Sequence, residues 1–206
     1  MSIALLGVLV CAETRADDVP ARSPRADDYL SRRVVHLFDF EERDENNYER
    51  LPRYWYTIGG PGFPRHTADQ TSFDEAEHVS GSYSFRLRSN GGSAAAMVEH
   101  GAIAAVPGTD YIITAKLKTA KLDTCRARVI AYFVDQHGRR IAESRNATPL
   151  TESNGKWSRL EVRLDGEFEQ AAWIVLRLEL LQAHEFRKPT LGKHEVYQQD
   201  IGATAW

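Results

Sequence analysis

Four carboxylates that lie close together in the sequence are the first candidates for chemistry. Glu41, Glu42, Asp44 and Glu45 share one very polar stretch, and glycoside hydrolysis requires two carboxyl groups a few ångströms apart. Acidic clusters in polar loops are, however, usually solvated. The sequence has no G-x-S-x-G elbow, no H-E-x-x-H pair and no P-loop lysine, and its seven histidines are scattered without metal-ligand spacing. These observations favour a protein that is not an enzyme.

Aromatic and charged side chains form a second candidate group, which is suited to binding. Sugars are held by flat apolar faces that stack on C–H groups and by planar polar groups that pair with hydroxyls. One outward sheet face is predicted to carry Arg126, Arg128, Tyr132, Trp173, Arg177 and Glu179, and an adjoining loop to carry Tyr54, Trp55 and Tyr56. The alternative for each aromatic residue is burial beneath a loop. A register shift of one residue would exchange the whole set.

Arginine outweighs aromatic residues on this predicted face. The guanidinium group presents a planar fork that matches carboxylate and sulfate groups with two parallel hydrogen bonds. Surfaces that bind neutral glucans depend more on stacking. The composition of the face therefore indicates acidic or sulfated glycans as one class of ligand.

The segments that must position these side chains have the two-residue period of β-strands. From Val34 onward, short alternating runs are separated by Gly, Pro, Asp and Asn clusters. The predicted inward faces include Tyr111, Ile113, Ala115, Leu117, Leu160, Val162, Leu164, Ile174, Leu176, Leu178 and Leu180. About eight such strands predict an all-β, antiparallel jelly-roll β-sandwich, because two sheets must cover each other's apolar faces. Residues 51–72 contain Pro52, Pro64 and several glycines, so we expect them to be irregular and exposed.

The N-terminus has the pattern of an export signal followed by a linker. Residues 1–12 form an apolar run too short to span a bilayer, and Thr14 and Ala16 suit a cut before Asp17. We therefore predict a signal peptide over residues 1–16 and a secreted, periplasmic or cell-surface location. Residues 17–33 are rich in Asp, Arg, Ser and Pro and are predicted to be a flexible linker. The alternative is a frayed apolar N-terminus.

Composition and charge limit the partners. A net charge of −3 over 206 residues gives no positive field of the kind that nucleic acid or an anionic membrane requires. No later segment is apolar and long enough to span a membrane. With Cys11 in the predicted leader, Cys125 is the only remaining cysteine, so no internal disulfide is expected.

The order of the sequence pieces resembles carbohydrate-binding modules of families 4 and 9, within the galactose-binding-like jelly rolls. The matching pieces are Phe38–Glu41, Val79–Leu87, Val106–Tyr111, Arg126–Tyr132 with Asp135 and Gly138, Gly155–Trp157, and Gly202–Trp206. The resemblance covers residues 34–206. Each piece alone is a weak pattern, and their order carries the resemblance.

This resemblance implies a non-catalytic module that binds polysaccharide. It also implies a structural calcium ion with Asp39, Glu41 and Asp74 as candidate ligands, since Ca²⁺ binds hard oxygen ligands. In these families the last strand continues beyond a Trp such as Trp206, so the 34–206 domain is predicted to be truncated before its last strand. The alternatives are an adhesion or scaffold domain of a larger cell-surface protein, or the accessory domain of a glycoside hydrolase whose catalytic part lies outside this chain.

Overall fold

The computed structural model describes residues 4–14, 33–60, 63, 71–89, 92–120, 122, 125–182 and 203–205. The strands are β1 (Ala4–Thr14), β2 (Arg33–Phe38), β3 (Trp55–Thr57), β4 (Ser72–Asp74), β5 (Ser84–Ser89), β6 (Ala94–Val98), β7 (Ile103–Ala104), β8 (Thr109–Ala120), β9 (Cys125–Val134), β10 (Asn146–Ala147), β11 (Trp157–Leu164), β12 (Trp173–Gln182) and β13 (Ala203–Ala205). A 3-10 turn, Ala142–Ser144, precedes β10. Within these residues, no helix has the length and hydropathy needed to cross a membrane.

Two antiparallel sheets form a sandwich of jelly-roll type, which confirms the predicted all-β fold class. The first sheet has seven strands in the order β11-β8-β13-β5-β1-β2, with β4 on β5 and a further pairing of β1 with β8. The second sheet has six strands in the order β10-β9-β12-β6-β3, with β7 on β12. All of the second sheet is built from residues between 55 and 182.

One row of the first sheet is assembled from both ends of the described chain. Strand β13 lies between β5 and β8, with Ala205 opposite Leu87 and Thr119. Strand β1 continues that row in the same direction, with Leu5 opposite Phe85 and Leu117. The row between β5 and β8 is therefore filled by two segments placed end to end.

The core confirms the predicted alternation. The inward residues predicted from the sequence on β8, β11 and β12 are all buried, whereas Arg159, Glu161 and Arg163 between the β11 core residues are exposed. Phe85 and Leu87 of β5 are fully buried. Burial of each such large side chain contributes about 1.5–3 kcal/mol.

The Tyr54–Tyr56 segment leads into the edge strand β3 and is not the irregular loop that the sequence predicted. Trp55 begins β3, pairs with Val98 of β6, and is 5% exposed. Its indole packs 5.1 Å from the ring of Phe85 and 5.5 Å from that of Phe38. Strand alternation sends Trp55 inward and Tyr56 outward, and the proline and glycine residues nearby hid this short strand.

The predicted domain boundaries stay predictions. The structure places Ala4–Thr14, which lies within the predicted leader, in the first sheet as β1. Except for Arg33, the predicted linker 17–33 lies outside the described residues.

Candidate functional site

The outward face of the second sheet brings together most of the predicted binding residues. Strand β12 lies at the middle of this sheet, with β9 on one side and β6 and β3 on the other. Because its Ile174, Leu176 and Leu178 enter the core, its Arg177 and Glu179 take the opposite face. We call this outward face the candidate site.

Strand register determines which neighbours share that face. Arg177 lies opposite Met97 on one side and Ile130 on the other, and Met97 lies opposite Tyr56. Tyr132 and Arg128 of β9 lie opposite Val175 and Glu179 of β12. The surface between these side chains is apolar. It is formed by Ala95, Ile130, Val134 and Val175, which are buried but are not part of the core cluster between the two sheets. We call these four residues the floor of the site.

Aromatic rings and a thioether surround this floor. The Tyr132 hydroxyl lies 3.3 Å from the Met97 sulfur. The guanidinium carbon of Arg177 lies 4.8 Å from the centre of the Phe63 ring, and that of Arg140 lies 5.9 Å from the centre of the Tyr132 ring. Both distances are within the range of cation–π attraction. Flat apolar surface and positively charged groups therefore alternate across the site.

Glu179 connects two of the arginines. It is 3% exposed, and its two carboxylate oxygens accept from Arg128 Nε at 2.6 Å and from an Arg177 terminal nitrogen at 2.7 Å. A buried carboxylate held by two guanidinium groups fixes the direction of both. The pair of arginines is therefore positioned before any ligand arrives.

Two phenol groups at the site remain protonated at neutral pH. Burial raises the pKa of Tyr132 above its ordinary value; Tyr56 adds to this, and Arg177 and Arg140 oppose it. Burial, followed by the charge of Glu99, raises the pKa of Tyr56. Each hydroxyl can therefore donate and accept hydrogen bonds.

Of the other predicted binding residues, Arg126, Tyr54 and Trp55 lie apart from this group. Arg126 pairs with Glu152 at 3.1 Å and donates to the Leu122 and Cys125 carbonyl oxygens at the far end of β9. Trp173 is half-buried at the first position of β12, opposite Ala104 and the floor residue Val134, so it adjoins one end of the site. Tyr54 is exposed in the turn before β3, and Trp55 lies in the core.

Sequence reasoning missed Phe63, Met97 and Arg140. Met97 could have been found, because the alternation of a strand over Ala94–Val98 places Met97 on the face opposite Val98. Phe63 reaches the site through a bridge between Gly60 and Phe63 that the sequence does not announce. Arg140 follows the turn after β9, where nothing in the sequence sets its direction.

The three predicted calcium ligands have separate partners. The Glu41 carboxylate accepts from the backbone N–H groups of Ser82 and Tyr83 at 3.0 and 3.1 Å. Asp74 pairs with Arg86 at 2.9 Å, and Asp39 accepts from the backbone N–H of Glu41. In the part of the chain that the structure describes, no three His, Cys, Asp or Glu side chains are grouped to hold a metal ion. As placed, these carboxylates do not fit a common metal site, and structural calcium stays a prediction.

Comparison with known proteins gives structural neighbours only. No protein-family model matches the chain, and no curated protein matches it. The CBM22-1 xylan-binding domain of Xyn10C from Paenibacillus barcinonensis is 12% identical with a TM-score of 0.41, covering 66% of this chain and 85% of that one. A second structure, family 16 carbohydrate binding module-2, is 19% identical with a TM-score of 0.35, covering 58% and 91%. Membership of families 4 or 9 is not confirmed by these findings.

Proposed function

We propose that the outward face of the second sheet binds a carbohydrate chain and that the protein acts as a non-catalytic binding module. The observation that carries this proposal is the convergence of Tyr56, Phe63 and Tyr132 with the arginine pair bound by Glu179 on one sheet face. Rings supply stacking surface for sugar C–H groups, and the guanidinium and phenol groups supply hydrogen bonds for sugar oxygens. The two neighbours reported above are named as carbohydrate-binding modules, but the proposal stands on the geometry.

The apolar floor and the side chains around it contribute to binding in different ways. Val175 and Ile130 of the floor are buried. When a sugar stacks on the neighbouring rings, apolar surface of both the sugar and the protein is removed from water. Glu179 is too buried to meet a ligand directly, and it acts as a positioning residue for Arg128 and Arg177. The ligand would contact the half-buried Tyr56, Tyr132 and Arg177.

Affinity electrophoresis against a panel of neutral and acidic polysaccharides tests the proposal. We expect retardation by at least one polysaccharide, and we expect Tyr132→Ala to weaken affinity about tenfold or more, since truncation of a central aromatic costs about 1.4 kcal/mol or more. Tyr48→Ala is the matched control, because Tyr48 is 76% exposed in the loop after β2. Absence of binding to every polysaccharide, or equal binding by both variants, would contradict the proposal.

Export and association with further domains are proposed separately from the binding face, because cleavage before Asp17 would remove β1 (Ala4–Thr14) from the first sheet. The apolar run with Thr14 and Ala16 before Asp17 supports a leader, and such binding modules act beside other domains. N-terminal sequencing of the protein recovered from the medium or the periplasm tests export. A new N-terminus at Asp17 would support it, and recovery only inside the cell would oppose it.

A scaffold or adhesion role is the second candidate, and one observation favours it. On the edge strand β2, Val34 and Leu37 are 54% and 53% exposed, and within the described residues β2 pairs only with β1. Exposed apolar edge strands are typical protein contacts. Failure of the polysaccharide panel would leave this candidate as the preferred one.

A further inference from the structure

Resting on the proposed function, we propose that the candidate site selects an acidic saccharide, a chain containing uronic acid units, and that Arg177 and Arg140 bind its carboxylate. The charge of the face is the first support. Arg128, Arg177 and Arg140 surround the floor, and Glu179 contacts two of them. One carboxylate balances one guanidinium charge, so positive charge remains there.

Arg140 carries part of that excess. It is exposed, its guanidinium lies against the Tyr132 ring, and among the described residues it has no carboxylate partner within ion-pair distance. The neighbouring Arg139 differs, because it pairs with Asp135 at 2.7 Å. Glu99, the acid that raises the pKa of Tyr56, lies at the opposite side of the site on the chain following β6. The arginine side of the site therefore attracts an anion.

Arg177 is only partly engaged by Glu179, and its side chain stays 25% exposed to a ligand. One terminal nitrogen bonds to Glu179, but its Nε is buried and has no hydrogen-bond partner. The Phe63 ring covers a face of the same guanidinium group, which leaves the donor edges for another acceptor. Carboxylate is the acceptor whose two oxygens match the spacing of a guanidinium edge.

The rings explain why the anion would be part of a sugar chain. A free carboxylate or an inorganic anion would use only the arginines, whereas Tyr56, Phe63 and Tyr132 offer stacking surface beside them. A uronic acid presents a C–H face and a carboxylate on the same ring. Such a ligand uses both halves of the site, and its planar carboxylate pairs with a guanidinium edge through two parallel hydrogen bonds.

Matched polysaccharide pairs test the inference. Polygalacturonate, alginate and hyaluronate are each compared with their carboxyl-reduced forms, which keep the linkage and lose the charge, and dextran sulfate is compared with dextran. We expect binding to at least one uronic acid polymer, loss of that binding on carboxyl reduction, and weaker binding at high salt. Arg177→Gln and Arg140→Gln should each reduce affinity for that polymer about tenfold, and Arg177→Lys should not restore it, because Lys lacks the planar fork. Arg163→Gln, on the exposed face of the first sheet, makes the same change in net charge and should have no effect.

The outcomes separate this inference from the proposed function. Equal binding to the acidic and carboxyl-reduced forms, with both lost in Tyr132→Ala, would overturn the acidic ligand and keep the carbohydrate site. Binding to dextran sulfate with no binding to any uronic acid polymer would overturn the carboxylate and point to sulfate. An Arg163→Gln effect equal to that of Arg177→Gln would overturn the site in favour of general charge attraction. No binding to any polysaccharide overturns both proposals.

Discussion

The two sheets of the sandwich differ in how the chain completes them. The second sheet uses only strands between residues 55 and 182 and carries the candidate site on its outward face. The first sheet depends on residues 4–14 and 203–205 to fill the row between β5 and β8. Its outward positions on β11 hold exposed charges, such as Glu161 between Arg159 and Arg163. One sheet therefore carries the candidate site, and the other depends on residues 4–14 and 203–205.

This difference shows that the residues that form the site and the residues that complete the fold lie in different parts of the sequence. The polar residues of the site are fixed by local register within the second sheet. The core beneath them is shared, since Val10 of β1 belongs to the same buried cluster as Ile174 and Leu178. Loss of the β1 row would expose that cluster without touching a site residue.

The largest effect is expected from a charge in the middle of β1. Val10 is fully buried and lies opposite Ile113 and His36, so Val10→Asp places a charge in the core at a cost of several kcal/mol. Total stability of a domain is about 5–15 kcal/mol. We expect the purified full-length chain to lose cooperative thermal unfolding, measured by circular dichroism.

Val106→Asp is the control for this prediction, because Val106 is 61% exposed and should tolerate the change. If Val10→Asp unfolds at the wild-type temperature, β1 contributes nothing to the core. If the stable protein begins at Asp17, the leader interpretation is correct. Either result would show that the first sheet does not depend on β1, and the contrast between the two sheets would then not hold.

Removal of the buried carboxylate tests the second sheet. Glu179→Ala leaves Arg128 and Arg177 without their shared partner, and breaking a buried pair is strongly destabilising. Both arginines keep about a quarter of their side-chain surface exposed to solvent. We therefore expect the free energy of unfolding, measured in urea, to fall by about 2–3 kcal/mol. Glu161→Ala on the first sheet should change stability by no more than about 0.5 kcal/mol, since surface pairs are weak. Equal effects would show that Glu179 is no more than a surface partner.

The sequence predicted the fold better than the site, for a physical reason. Alternation is a repeated signal, so the inward faces of β8, β11 and β12 were all identified correctly. The same alternation placed Tyr132, Arg128, Arg177 and Glu179 on one outward face. It could not show that Arg126 bonds to carbonyl oxygens at the strand end, because that depends on where the preceding loop turns.

Most of the wrong sequence-based predictions concern short segments. Three residues of β3 give too little alternation to outweigh the proline and glycine signals around them, so Trp55 was expected at the surface. Its inward direction follows from pairing with β6, a contact between residues about 40 positions apart. Phe63 and Arg140 reach the site through turns in the same way. Long-range pairing, and not local propensity, sets these positions.

The smallest predicted effect concerns pH and the loop after β2. Burial, followed by the charge of Asp39, raises the pKa of Glu42 to about 7; Glu45 adds to this and Arg53 opposes it. One of its carboxylate oxygens is buried without a hydrogen-bond partner. The folded state therefore holds the proton more tightly than the unfolded chain does. This contribution to stability is complete below about pH 4.5 and is lost as pH rises to about 7.

Glu42→Gln removes this dependence by fixing the neutral form. One pKa unit corresponds to about 1.4 kcal/mol, and solvent screening in a half-buried loop lowers the net gain, so we expect the variant to be about 1–2 kcal/mol more stable than wild type at pH 8. At pH 4 the two should be equal, because the wild-type carboxyl group is then protonated in the folded state. Urea unfolding at both pH values measures the difference, with the exposed Glu169→Gln as control. A gain of the same size at both pH values would mean that amide packing, and not the proton, stabilises the loop.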